Sequence, residues 1–234
     1  MRALLRPLVV VAGVVLSSPA AKAVEGFTLG LEYLYGGWST TAAPADVRLA
    51  SGGVLDTGAP SLFLEPLQNQ SRPGLGLHLG WNVKGHLAVE VAAQSSFWDV
   101  LAEDMRGGVA LGGLRLTYFP LEYFAPQVRR QYHVDLGLEL GGGYVIAGGN
   151  RPTGFNSYSG VGMDGRYGTW GLVGEYGLTP SIGVALGWRY FQPGFDRFIL
   201  DFSKSGLVDL TGGTTPASWN TVTLGLNFHF AARD

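Results

Sequence analysis

Cysteine is missing from the sequence and charge is scarce, with Asp, Glu, Lys and Arg making up only 15% of the 234 residues. The first absence excludes a disulfide framework and a lipid-modified N-terminal cysteine. With only four scattered histidines it also leaves no metal-ligand signature, so neither a metal nor another cofactor is expected. The second absence bears on the solvent. Soluble surfaces carry roughly 25–35% charged residues, so water is a poor candidate for most of this one. A third absence narrows the choice: beyond residue 23 no apolar run approaches the ~20 residues that a membrane-crossing helix needs. A chain built for lipid but without membrane helices must close its backbone hydrogen bonds as a barrel.

The N-terminus reads "MRALLRPLVVVAGVVLSSPAAKA", with basic Arg2 and Arg6, an apolar run from Leu8 to Leu16, Pro19, and small Ala21 and Ala23 where a signal peptidase reads. Residues 1–23 are expected to be a cleaved secretory signal and 24–234 a single barrel domain. Taking Arg2, Arg6 and Lys22 from the 16 basic side chains leaves 13 against 18 acidic ones, a net charge of −5, which gives no reason to expect nucleic acid.

What the chain has in abundance is alternation. In "TVTLGLNFHF", Val222, Leu224, Leu226, Phe228 and Phe230 share one side of an extended chain, and Thr223, Gly225, Asn227 and His229 the other. Seven further segments repeat the pattern: "FTLGLEYLY", "PGLGLHLGWNV", "HLAVEVAAQ", "GGLRLTY", "YHVDLGLELGG", "GTWGLVGEYGL" and "SIGVALGWRYF". The fold class expected is all-β, a transmembrane antiparallel up-and-down barrel of eight strands, with ten possible if the first or last loop pairs as a hairpin. A secreted soluble barrel with the bulky face inside would need a solvated outer face, and here the second face is largely glycine. Glycine suits a narrow lumen.

Connection lengths agree. The stretches from about Gly36 to Arg72, Tyr144 to Arg166 and Gln192 to Ser218 are expected to be long outer loops, and "VKGH" and "LTPS" short periplasmic turns. "FPLEYFAPQVRRQ" should be periplasmic yet is extended, with Arg129 and Arg130 facing periplasm or headgroups. Tyr35, Trp38, Trp170, Trp188, Tyr190 and Trp219 are expected in an outer aromatic belt, and Phe27, Trp81, Tyr118, Tyr132, Tyr176, Phe228 and Phe230 in a periplasmic one.

Nearly every strand turns an ionisable group inward: Glu32, His78, Glu90, Arg115, Asp135, Glu139, Glu175, Arg189 and His229. Strand order puts Arg115 between Glu90 and Asp135 or Glu139, and Arg189 beside the strand of Glu175. One reading is a salt-bridge network that fills the lumen; the other is a thin polar path for small solutes, with Arg115 and Arg189 setting selectivity. No serine accompanies a histidine in a convincing nucleophile arrangement, so an enzyme is not expected. A lipid A-modifying activity is the least favoured alternative. Two greasy loop runs hold Leu62, Phe63, Leu64, Phe198, Ile199, Leu200 and Phe202, a candidate hydrophobic lip or partner surface.

The alternating strands, the segment "LRLTYFPLEYFAPQVRRQYHVDLGLELGGGY" and the aromatic-ended last strand resemble the small outer-membrane β-barrel superfamily of Gram-negative bacteria, which holds OmpA-like membrane domains, OmpW and opacity-type porin-like proteins. The resemblance implies insertion in the outer membrane among lipid and lipopolysaccharide, with the barrel-assembly machinery reading the C-terminal strand. It further implies a structural or passive-transport role, as a narrow channel for small or hydrophobic solutes, or as a closed barrel whose outer loops bind a partner.

Overall fold

Alternation along the chain becomes a wall that closes on itself. The structure, a computed structural model, describes residues 25–39, 47–48, 54–55, 71–100, 105–150, 160–202, 206–216 and 218–231. The expected signal segment, 1–23, and Leu62, Phe63 and Leu64 lie outside them. The eight wall strands are β1 (Gly26–Ser39), β2 (Ser71–Val83), β3 (Leu87–Val100), β4 (Met105–Tyr118), β5 (Val134–Asn150), β6 (Gly160–Thr179), β7 (Ile182–Phe202) and β8 (Ser218–Ala231). Each pairs antiparallel with its chain neighbour, and β8 pairs with β1 to close the ring.

Register follows the greasy row. Leu31 faces Leu226 and Leu77 across the two ladders of β1, and Tyr33 faces Leu224 and Leu75. A slip of one residue would turn that whole row into the lumen, so the pattern fixes the pairing. The outward row is bare: Leu75, Leu114, Leu140 and Leu186 each expose more than 60% of their surface. An apolar wall of this extent requires an apolar solvent. No helix among the described residues is long and apolar enough to cross a membrane; the closed sheet crosses with strands instead.

One end of the barrel has short connections. Lys84 and Gly85 both take positive φ (51° and 72°), the hairpin geometry that matches strand twist, and Pro180–Ser181 turns β6 into β7. Gly26 of β1 pairs with Ala231 of β8 at this same end. Between β4 and β5 the expected extended turn is helical, as α1 (Leu121–Phe124) and α2 (Pro126–Tyr132).

The other end is taller than expected. β7 has 21 residues and β6 has 20, against 14 in β1, an excess of roughly 20 Å of extended chain. The stretch expected to loop from Gln192 to Ser218 is a hairpin: β7 runs on to Phe202, and a further strand, Gly206–Pro216, pairs with its far half while β8 pairs with its near half. Phe198, Ile199, Leu200 and Phe202 are therefore strand residues. The stretch expected to loop from Tyr144 to Arg166 is likewise mostly strand, paired up to Asn150 and Gly160. In the first long connection only Val47–Arg48 and Val54–Leu55, which pair with each other, are described. The extra strand lengthens an existing wall position and adds none to the ring, which keeps eight strands.

These extensions escape a search for greasy outward rows because the pattern inverts. Along β7, Trp188 and Tyr190 point out and Arg189 in. Further up, Phe191 and Phe195 are buried inside while Gln192 and Asp196 are exposed. That is the arrangement of a sheet in water, and it begins where the lipid-facing row ends.

Candidate functional site

The inward row of the membrane-spanning part is small or polar, so whatever this barrel does chemically it does there or at its ends. Glycine makes the room: a Cβ on Gly30 would lie 2.0 Å from Cε1 of His78, so the imidazole occupies the space of the missing side chain.

Six of the candidate residues meet in one layer. Arg115 Nε donates to Glu90 Oε2 at 2.5 Å and Nη1 to Glu32 Oε1 at 3.1 Å, with Glu139 Oε1 3.6 Å from Nε. Arg189 reaches Glu139 through Nε (2.5 Å) and Nη2 (3.0 Å), and Glu32 through Nη1 (2.6 Å) and Nη2 (2.9 Å). His78 Nδ1 lies 3.0 Å from Glu32 Oε1, and Gln94 Nε2 donates to Glu32 Oε2 at 3.1 Å. All of these side chains are buried. Three carboxylates and two guanidiniums, each with several partners, meet the condition under which buried charge is tolerable.

Arg189 stands on the strand next to that of Glu175, as strand order suggests, but does not pair with Glu175. Register puts Arg189 opposite Gly171 and Glu175 opposite Ala185, four residues nearer the short-turn end. Glu175 instead accepts from Asn227 Nδ2 at 2.6 Å and lies 2.6 Å from His229 Nε2, whose Nδ1 is 3.4 Å from Thr28 Oγ1. A hydroxyl, an imidazole and a carboxylate in line have the look of a nucleophile, base and orienting group. The lumenal cavity beside them, however, measures only about 30 Å³, room for a water or two. The amide oxygens of Asn82 and Asn227, which line it, accept no bond from a described residue, and water is the ordinary partner for such groups.

Asp135 belongs to a third group. It pairs with Arg129 of α2, which also pairs with Glu122 and donates to the Gly85 carbonyl at 3.2 Å. Arg129 was expected to face periplasm or headgroups; it is buried, because three acceptors under the barrel rim draw it inward, while Arg130 is exposed.

Above the charged layer the inward side chains are mostly apolar. Leu34, Val109, Leu111, Val145, Met163, Phe191, Phe195 and Trp219 are buried inside the tall end, with Phe191 5.2 Å from Trp219 and 5.8 Å from Tyr167 between ring centroids. Trp219, expected in the outer belt, is fully buried in this plug. Parity with Thr221, Thr223 and Gly225 was the signal that placed it inward. Trp170, which packs edge-on against Trp188 at 4.9 Å, and Tyr35 do remain on the outside, as do Phe27 and Phe230 at the opposite rim. The side chain of Trp38 and those of Phe198, Ile199, Leu200 and Phe202 lie outside what the structure describes. Gln94, Asn227, Thr28 and Arg129 also take part in these polar groups; attention to ionisable strand residues alone passes over them.

No protein-family model matches the sequence, and neither does any curated protein. Solved structures do match. Neisserial surface protein A aligns over 89% of this chain and 100% of its own, with a TM-score of 0.54 and 13% identity. The outer membrane protein OprG from Pseudomonas aeruginosa aligns over 89% and 98%, with a TM-score of 0.52 and 12% identity. A major outer membrane protein from Thermus thermophilus aligns over 87% and 99%, at 0.50 and 11%. At these identities the likeness is one of architecture: the chain has the fold of the small outer-membrane β-barrels.

Proposed function

We propose that this chain is an outer-membrane barrel with a sealed lumen, which anchors a raised sheet at the cell surface for contact with a partner. The observation that carries this reading is the double filling of the lumen, by the Glu32–Arg115–Glu139–Arg189 layer and by the hydrocarbon plug around Phe191, Phe195 and Trp219. An eight-stranded barrel has just enough interior for side chains to fill, which supports the reading. The short-turn end then faces the periplasm and the tall end the exterior. Export by a cleaved signal, insertion through the C-terminal strand by the barrel-assembly machinery, and lipopolysaccharide around the outer rim belong to the same reading. No catalytic role is assigned.

A channel for small or hydrophobic solutes is the competing reading, and it requires both fillings to move. Planar-bilayer recording separates the two. The purified protein should give no steady conductance steps; a reproducible ohmic conductance that changes in Arg115→Ala or Arg189→Ala would overturn the sealed barrel. For the surface role, bacteria displaying the protein should attach to matrix-coated wells. Replacing residues 198–210 by a two-residue turn should abolish attachment and leave heat-modifiable gel mobility unchanged.

A further inference from the structure

The lipid-facing wall is not uniformly bulky. Outward rows in register run Leu138–Leu172–Trp188–Val222 across β5 to β8 and, one step nearer the short-turn end, Leu136–Gly174–Leu186–Leu224. Gly174 is the gap in the second row. Its backbone does not take positive φ, and a Cβ there would meet nothing nearer than Leu136 Cδ2 at 3.6 Å, an ordinary contact. Neither conformation nor crowding requires glycine at this position. Gly174 lies in the lining of a groove of about 520 Å³, with Leu136, Leu138, Leu172, Leu186 and Trp188 around it and Pro120 at its edge. That volume lies in the range of small-molecule sites, about 300–1,000 Å³.

The surroundings specify an occupant. The groove lies in the half of the wall next to the short turns, which is the inner-leaflet side when those turns are periplasmic. Hydrocarbon gains nothing by moving from lipid tails to leucine, so a retained molecule must also be held at its polar end. The α1–α2 connection supplies that hold: it leaves the wall at Pro120 and rejoins it at β5, two residues before Leu136. Arg129 pins it beneath the barrel, while Tyr123 and Phe124 stay 73% and 75% exposed, as interfacial aromatics do. Arg130, next to the pinned arginine, is exposed at this rim and offers a guanidinium to a phosphate.

We infer that the groove at Gly174 is a specific site for one anionic glycerophospholipid of the inner leaflet, its acyl chain against Gly174 and its phosphate at Arg130. The inference depends on the membrane placement of the wall and is independent of whether the lumen conducts.

Native mass spectrometry of the full-length protein, released from vesicles of mixed phosphatidylglycerol and phosphatidylethanolamine, tests it. One phosphatidylglycerol should stay bound per barrel. Gly174→Leu, which puts a side chain into the groove without meeting the backbone, should reduce that adduct about fivefold or more, and Arg130→Ala should reduce the preference for phosphatidylglycerol by about fivefold, the worth of one basic residue at an anionic surface. Heat-modifiable mobility reports that both variants remain folded. Undiminished adducts in folded Gly174→Leu would overturn the site, as would disulfide cross-linking of two copies of the chain through Gly174→Cys. Loss of the adduct with no change in headgroup preference in Arg130→Ala would overturn the assignment of the phosphate.

Discussion

Arg189 and Glu32 meet across the lumen in a two-pronged pair, 2.6 and 2.9 Å, although β8 stands between their strands and 157 residues separate them in the chain. A chord of this kind ties together strands that are not neighbours in the wall, which ladder hydrogen bonds cannot do. Arg115 makes a second chord to the same carboxylate, so Glu32 is the point on which both guanidiniums converge.

Removing Arg189 should therefore cost more than a surface ion pair. Arg189→Ala leaves Glu32 and Glu139 buried and short of compensation, and breaking buried pairs costs about 3–5 kcal/mol. Urea unfolding of the barrel folded into lipid vesicles should show that loss. Conductance should stay silent while the hydrocarbon plug remains in place.

Leu at both Arg189 and Glu139 should behave differently. The double variant removes a positive and a negative charge together, and well-packed apolar replacements of buried ion pairs are often neutral. Its destabilisation should fall short of the sum of the single variants by more than about 1 kcal/mol, within the range expected for residues in contact. Additive losses would show that the two side chains do not act as a pair.

Trp219 tests the second filling. Its indole lies fully buried against Phe191, and truncating an aromatic in a packed core costs about 3–5 kcal/mol. Trp219→Ala should lower stability by that order, and its fluorescence loss should remove a blue-shifted, quencher-protected component. A Trp219 signal quenched by brominated lipid would place the indole in the outer belt after all.

Arg129 should hold the periplasmic connection in place. Arg129→Ala strips a partner from Asp135, Glu122 and the Gly85 carbonyl, at about 1–3 kcal/mol for buried acceptors left unmet. Limited trypsinolysis should then cut faster after Arg130, with the barrel otherwise intact. An unchanged cleavage rate would mean that α1 and α2 stay docked without it.

The wall was legible in the sequence because a two-residue period with one solvent outside and one inside admits a single register. Leu31, Tyr33 and Tyr35 could not be anywhere but out. The members of the polar lumen were legible for the same reason, and strand order also pointed to Glu90 and Glu139 beside Arg115, whereas the partners of Arg189 were not legible. Parity says that Arg189 points inward, but its long side chain reaches past the neighbouring strand to Glu32, and only the shear of the barrel decides which level it meets. Trp219 is expected outside because a bulky residue in a membrane barrel faces lipid, and Phe195 falls in a stretch expected to be a loop. In a sheet that stands in water the bulky residue faces inward instead. Arg129 carried no period at all, since α1 and α2 are too short to show one.

The reversal yields a prediction along a single strand. Leu186 and Gln192 of β7 point outward on the same face, six residues or roughly 20 Å apart. If lipid meets Leu186 and water meets Gln192, an arginine should be costly at the first position and nearly free at the second. Transfer of arginine to a lipid-facing barrel site costs about 2–4 kcal/mol near the midplane and about 0–1 kcal/mol at the interfaces. Unfolding of Leu186→Arg and Gln192→Arg from lipid vesicles should therefore differ by about 2 kcal/mol or more. Equal costs would mean that the membrane reaches past Gln192, in which case Phe191 and Phe195 would be lumen filling within the bilayer and not the core of a raised sheet.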